Sequence, residues 1–406
     1  MSNTLATCSI VAKESLAVLE NFLGFAVNCN RDWEDEFPQN QARGYSPGAT
    51  INIRRPPRVN YRAGRVAVPQ GIVQQVVPLT LSQGGTDVNF TSLEKTVSLN
   101  KMQPVIMAAM AAVANEIDRQ GLALAHFATP NAIGTPGTLP STQALALAAV
   151  LGVNQRLDEE AAPRNDGGRA LILNPGLNGA IVGGFAGMFN SQAVLDKQFR
   201  RGVMVDSLGL AYAMDQNVDV HTNGSQPVAG GTVNGAGQSG TAITVNAGSI
   251  TGTITRGSKI TFAGSFLVNP QARVSTGTLA QFTVTADVPV NGTVINISPA
   301  LTPTGQFQSV TASPANAAVI TVFGTASGVY NCNVGFHKDA FTLAIVPMFA
   351  PPNGNGVVDV GTETHKGMSM KVTQFYDGIN DNFITRWDVL FGWAATYPEL
   401  ACILAT

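Results

Sequence analysis

From Thr222 to Asn333 the chain carries only four charged side chains, Arg256, Lys259, Arg273 and Asp287, in 112 residues filled mainly with Gly, Thr, Val, Asn and Ser. Alternating runs follow one another through this block: TAITV, KITFAG, QFTVTADV, TVINIS and AVITVFG. A period of two puts successive side chains on opposite faces, which is the pattern of half-buried strands. In KITFAG, Ile260 and Phe262 fall on one face and Lys259 and Thr261 on the other, while Asn291-Gly292 supplies a tight hairpin turn. Five or six such strands predict a small barrel or sandwich.

The flanks read differently. Val11, Leu16, Leu19, Leu23 and Ala26 lie at near-helical intervals between Ser9 and Val27, ahead of the acidic run Asp32, Trp33, Glu34, Asp35, Glu36. This is an amphipathic N-terminal arm. Ile51 and Ile53 alternate with polar residues, and so do Val77, Leu79 and Leu81, which predicts the two legs of a long hairpin.

A longer helix follows: Asn100 can cap it, Pro104 fits its first turn, and Met102, Ile106, Ala109, Val113, Ile117 and Leu124 form one apolar stripe over about 25 residues. A second helix is expected after Ser141 (QALALAAVLGVNQRL), then a buried strand, RALILNP. A third helix, SQAVLDKQFRRG, is expected to start at Ser191 and stop at Gly202. Beyond the strand-rich block come FHKDAFTLAIVPM and a C-terminal stretch ending WDVLFGWAATYPELACIL.

Between the hairpin legs lies RRPPRVNYRAGRVAVPQG, where Arg54, Arg55, Arg58, Arg62 and Arg65 have no acid among them. Such a run is either a solvated loop or a docking loop for a neighbour's carboxylates, which suit the planar donor fork of arginine. Asp32, Glu34, Asp35 and Glu36 of another copy are candidate partners. Only 12% of residues are charged, about half the usual share, so much uncharged surface is expected to meet other protein.

Several functions are excluded or lack support. A net charge of -2 gives no basic face for sequence-specific DNA binding, which leaves only non-specific proximity to nucleic acid. The longest wholly apolar run, Val105 to Ala114, is too short to cross a bilayer, and the N-terminus shows no secretion signal pattern, so synthesis in the cytoplasm is expected. Cys8, Cys29, Cys332 and Cys402 have no CxxC spacing and suit reduced, packed thiols. His126, His221, His337 and His365 have no ligand spacing, so neither a zinc site nor a Ser-His pair is expected. Ser98-Leu99-Asn100-Lys101 matches SxxK by letter but lacks companion motifs. Gly183, Gly184 and Gly187 lack the lysine of a phosphate loop and read as an apolar loop. No catalytic residue, metal or cofactor is predicted.

The order of parts resembles one family, the coat proteins of short-tailed double-stranded DNA phages of the Lederbergvirus type. FHKDAFTLAIVPM at 336–348 is similar to the segment where such proteins leave their inserted domain, RGSKITFAG to a strand within it, and WDVLFGWAATYPELACIL to the C-terminal strand and tail. The resemblance implies an α+β, Hong Kong 97-like capsid fold with an inserted all-β barrel-like domain. On that map residues 1–46 are the N-terminal arm, 47–98 the E-loop hairpin, 99–136 the peripheral domain with its spine helix and 137–221 the axial domain. Residues 222–333 are the insertion, and 334–406 the remainder of the axial and peripheral domains.

It further implies a major capsid protein, not an enzyme, assembling as pentamers and hexamers in the host cytoplasm with a scaffolding protein, a portal protein and in some cases a decoration protein. The packaged DNA would lie alongside by non-specific proximity. One departure stands out: the family's insertion can carry an acidic bridging loop, whereas Asp287 is the only acid here. The rival reading is a phage tail or adhesin-like β protein binding surface glycans, suggested by the Gly, Thr and Asn richness of the block.

Overall fold

A computed structural model describes residues 8–32, 50–59, 64–67, 69, 71–91, 103–185, 206–350, 357–365 and 368–406. The expected third helix, the Asn100 cap, Arg62, Glu34, Asp35 and Glu36 lie outside them. The chain divides into two compact units, one of residues 1–53, 77–121 and 342–394, the other of 54–76, 122–341 and 395–406.

In the first unit, strands β15 (Phe341–Val346), β16 (Val357–His365), β17 (Met368–Asp377) and β18 (Asn382–Ala395) form a sheet in the order β15-β18-β17-β16. Strand β3 (Ser82–Thr91) also joins β18, from Thr91↔Asn382 to Ser82↔Phe391. The polar sequence SQGGTDVNFT gave no sign of that strand; its pairing comes from the long partner rather than from its own pattern. Helices α1 (Cys8–Phe22) and α2 (Gln103–Ala128) bury Leu16, Leu19, Ile106, Met110, Val113 and Ile117 with Met370, Val372, Trp387 and Val389 of the sheet. Helix α1 ends at Phe22, short of the expected Val27, and a 3-10 turn takes over at Ala26–Asn28.

Gly121 of α2 has to be small: a Cβ there would sit 2.6 Å from Trp393 Cζ2 and 2.8 Å from the Phe25 ring. Strands β1 (Thr50–Arg54) and β2 (Val76–Thr80) pair as the expected hairpin legs, with Ile51, Ile53 and Leu79 packed on Ala344, Val346 and Ala394.

The second unit holds two sheets. One runs β4 (Asn131–Gly134), β19 (Ala401–Ala405), β14 (Val329–His337), β5 (Arg169–Leu173), β6 (Ala211–Met214), with β7 (Val220–Thr222) on the end of β14. Helices α3 (Gln143–Glu159) and α4 (Pro175–Gly184) cover it, burying Val150, Val153, Leu157, Leu177 and Ile181. Thr142, one residue past the expected Ser141, caps α3 by accepting from Leu145 N, and Asn174 caps α4 by accepting from Leu177 N. Gly183 and Gly184 therefore end a helix instead of lying in a loop. The Asn174 cap and Pro175 start that helix, and together they outweigh the helix-weakening glycines.

The other sheet is the charge-poor block: β8 (Ala229–Thr232), β13 (Val319–Val322), β10 (Lys259–Val268), β11 (Ser275–Val284), β12 (Val294–Leu301) and β9 (Gly240–Thr244), in that order. A bridge between Val233 and Val245 joins β8 to β9 and closes the six strands into a barrel. Its interior is apolar, with Ile260, Phe262, Phe282, Val284, Ile295 and Ile320. Asn291 sits in a turn with φ 60°, closed by the Gly292 N–H donating to Pro289 O, but that turn lies within the longer connection 285–293 between β11 and β12 and not at the tight hairpin expected.

The face of KITFAG that carries Lys259 is covered. The segment after α2 lies against it, and Lys259 is 1% exposed. Its Nζ donates to His126 O (2.8 Å) and Thr283 Oγ1 (2.9 Å), Thr283 Oγ1 donates to Thr129 O (2.7 Å), and the Gln281 amide both donates to and accepts from the Ala132 backbone.

Candidate functional site

Proline at 56 and 57 interrupts strand pairing, and the described residues between 55 and 75 lie in no strand or helix; the Arg55 N–H donates to Gln75 O at 2.8 Å and holds the neck of this loop. Arg54 and Arg65 are exposed. Arg55 is not solvated as its run of neighbours suggested: Nη1 lies 3.3 Å from Glu399 Oε1 and the guanidinium sits 5.0 Å from the centroid of the Tyr397 ring. That acid, 344 positions away, could not be seen as a partner in the sequence.

Arg58 stacks 6.0 Å from the Phe307 centroid, and Gln306 Nε2 donates to the Arg58 carbonyl. Around them the loop presents Val59, Val66, Ile72 and Val73 to solvent, each more than half exposed. Asp32 is exposed, its N–H donating to Asn30 Oδ1 at 2.8 Å.

Arg55, Arg58, Glu160, Gln281, Phe307 and Glu399 line a partly open cleft of about 250 Å³. Burial and the neighbouring Glu399 push the Glu160 carboxyl up to about 8, against an opposing hydrogen bond from Asn131 Nδ2. Glu160 thus holds a proton at neutral pH.

Two of the four histidines, His126 and His221, meet in three dimensions. His126 Nδ1 contacts Asp219 Oδ2 at 2.7 Å, His126 Nε2 contacts His221 Nδ1 at 3.1 Å, and His221 Nε2 contacts Ser258 Oγ at 3.2 Å. They come from α2, β7 and the turn before β10, and separations of 93 to 95 residues leave no local signal. Burial lowers both histidines, His221 to about 4, and lowers Lys259 to about 7. Among the described residues no group of three or more His, Cys, Asp or Glu side chains gathers as a metal ion requires. All four cysteines are buried and none forms a disulfide, and burial pushes Cys332 and Cys402 up to about 12, so these two pack as neutral thiols.

Solved structures with a similar chain path come from Mycobacterium phage Che8 (12% identity, covering 95% of this chain and 90% of that one, TM-score 0.46) and the capsid of cyanophage P-SCSP1u (10%, 88% and 83%, 0.42). A virus-like particle from Pyrococcus furiosus is also similar (9%, 97% of each chain, 0.39). No curated protein matches the chain.

Residues 70–404 match a single family model. The chain mixes helices and sheets in the α+β manner, and the match defines a major capsid (coat) protein, a virion component whose copies associate into capsomers and form the icosahedral shell of a tailed phage. The chain belongs to the P22 coat protein family, gene protein 5. This sets aside the rival reading as a tail or adhesin-like protein.

Proposed function

We propose that the chain builds its shell by noncovalent overlap, without a chemical step, through the arginine-bearing loop inside residues 47–98. One observation carries this reading: the loop leaves Val59, Val66, Ile72 and Val73 in solvent beside Arg54 and Arg65. Apolar and cationic side chains presented together are the composition of a surface that another protein covers. The acids of a neighbouring copy, Asp32, Glu34, Asp35 and Glu36, are the partners proposed for Arg54, Arg58, Arg62 and Arg65. Arg55 serves the loop's own base.

Residues 1–46 act in this scheme as an arm, 99–136 as the spine-bearing peripheral domain, 137–221 with part of 334–406 as the axial domain, and 222–333 as an inserted barrel. A scaffolding protein and a portal protein join during assembly in the host cytoplasm, and the packaged double-stranded DNA lies against the shell without base-specific contacts. Each contact is weak, and a closed shell gains stability from many of them together.

The test is Arg58→Ala with Arg62→Ala, examined by electron microscopy and circular dichroism. A folded subunit that fails to form closed shells, or forms shells melting several degrees lower, is expected. Shells of unchanged yield and stability would refute the loop's role.

A further inference from the structure

The histidine cluster is longer than a pair. Beyond His221, Ser258 Oγ lies 3.1 Å from Thr255 Oγ1, and Thr255 Oγ1 donates to Thr222 O at 2.8 Å. The line therefore runs Asp219, His126, His221, Ser258, Thr255, Thr222 O. It starts at a half-exposed carboxylate and passes through side chains that are at most 3% exposed before reaching Thr255.

Hydrogen counting fixes how the line can be filled. Asp219, ionised, accepts the His126 Nδ1–H, and Thr255 spends its hydroxyl hydrogen on the Thr222 carbonyl. Three contacts remain between them: His126 with His221, His221 with Ser258, and Ser258 with Thr255. With both imidazoles neutral only two hydrogens are left for these three contacts, one on His221 and one on Ser258. Of the possible placements, one pairs every ring nitrogen along the line: His221 Nδ1–H donates to His126 Nε2, Ser258 donates to His221 Nε2, and the contact from Ser258 to Thr255 is left empty.

One added proton supplies the third hydrogen. His126 Nε2–H donates to His221 Nδ1, His221 Nε2–H donates to Ser258, and Ser258 donates to Thr255. Two bonds reverse and the third forms.

We propose that this line is a one-proton switch built into the joint between the end of α2, strand β7 and the barrel turn Thr255–Ser258. Its groups are set against each other. Asp219 and the Asn223 side chain beside His221 favour the added proton. Opposing it are burial, the Lys259 amine anchored on His126 O, and the Arg256 guanidinium 4.4 Å over the Phe127 ring beside His126. Strand β14 contributes the Tyr330 ring, 5.3 Å from His221, and the Cys332 thiol, both neutral below pH 8. Asp287 is occupied by the Arg256 N–H. Burial is the leading cause that lowers both imidazoles, so the line is empty of the extra proton at neutral pH and fills only in acid. The linkage has one sign: groups that resist protonation when folded cost stability as pH falls below 6.5 towards 4. The joint loosens in acid.

The experiment is nitrogen NMR of the full-length subunit with labelled histidine, titrated from neutral pH into acid. Wild type is expected to show His126 and His221 as Nδ1–H tautomers at pH 7, then a single shared protonation below the ordinary histidine range in which His221 moves its hydrogen to Nε2. Ser258→Ala removes the acceptor of the protonated state and should lower that midpoint, while Lys259→Met removes an opposing charge and should raise it, each by about half a pH unit or more. Independent titration of the two rings near 6.5, or no tautomer change before the protein unfolds, would overturn the switch.

Discussion

Asp118 of α2 binds the backbone of Gly24, whose N–H donates to Asp118 Oδ2 at 2.6 Å. The same carboxylate accepts from Phe25 N (3.3 Å) and Ala26 N (3.0 Å), so one side chain, 2% exposed, satisfies three amides at the start of the turn after α1. Asp118→Ala removes the acceptor of those donors, two of them buried, at Phe25 and Ala26. Hydrogen bonds to a charged group are each worth about 1.5–3 kcal/mol, and the three share one acceptor, so a loss of roughly 3–5 kcal/mol is expected in denaturant unfolding of the subunit. A loss below about 1 kcal/mol would mean that water replaces the carboxylate.

Gly335 lies in the middle of β14, where α3 crosses closely. A Cβ at 335 would stand 2.3 Å from Val153 Cγ1. Gly335→Ala should therefore destabilise by about 1–3 kcal/mol through overpacking. Adding Val153→Ala removes the struck methyl, so the double variant should be more stable than the sum of the two single losses, a coupling that thermal unfolding of the four proteins can measure.

Glu160 gives a pH prediction of definite sign. Its folded value of about 8 stands above the ordinary 4.5, so the folded state holds the extra proton and stability is lost as pH rises through 8. Glu160→Gln fixes the neutral form. It should match wild type near pH 4.5 and exceed it above pH 8 by on the order of 1–3 kcal/mol, the full shift being discounted for partial solvent screening. Parallel stability curves for the two proteins across pH 5–9 would refute the assignment.

The shell is expected to lack a covalent cross-link made by a loop lysine. The chain has no lysine between Glu14 and Glu94, and arginine stays protonated and non-nucleophilic. Particles boiled in detergent should release a single monomer band. A ladder of covalent dimers to hexamers would show another nucleophile at work.

Local pattern was enough for the elements whose own residues decide them. The alternation in TAITV, KITFAG and TVINIS, the apolar stripe from Ile106 to Ile117 and the Asn291-Gly292 turn each specify a strand, a helix or a bend, because side-chain period and backbone preference act over a few residues. The order of those pieces carried the family resemblance as well. Strand β3 and helix α4 escaped notice for complementary reasons: SQGGTDVNFT has no period of its own, and the glycines of α4 obscure a helix that its Asn174 cap starts.

The sites were decided only in three dimensions. Glu399 reaches Arg55 across 344 positions, Asp118 reaches Gly24 across 94, and His126 reaches His221 across 95. A pairing of that separation has no periodic trace. It depends on which faces the sheets and helices cover, and that same covering buries Lys259, removes its water and turns a surface-looking lysine into part of a joint. The sequence by itself determined the strands of the barrel, the long helix α2 and the kind of protein this is. Tertiary packing alone decided which charges lost solvent, because desolvation and hydrogen-bond partnership are properties of the folded surroundings and not of the residue.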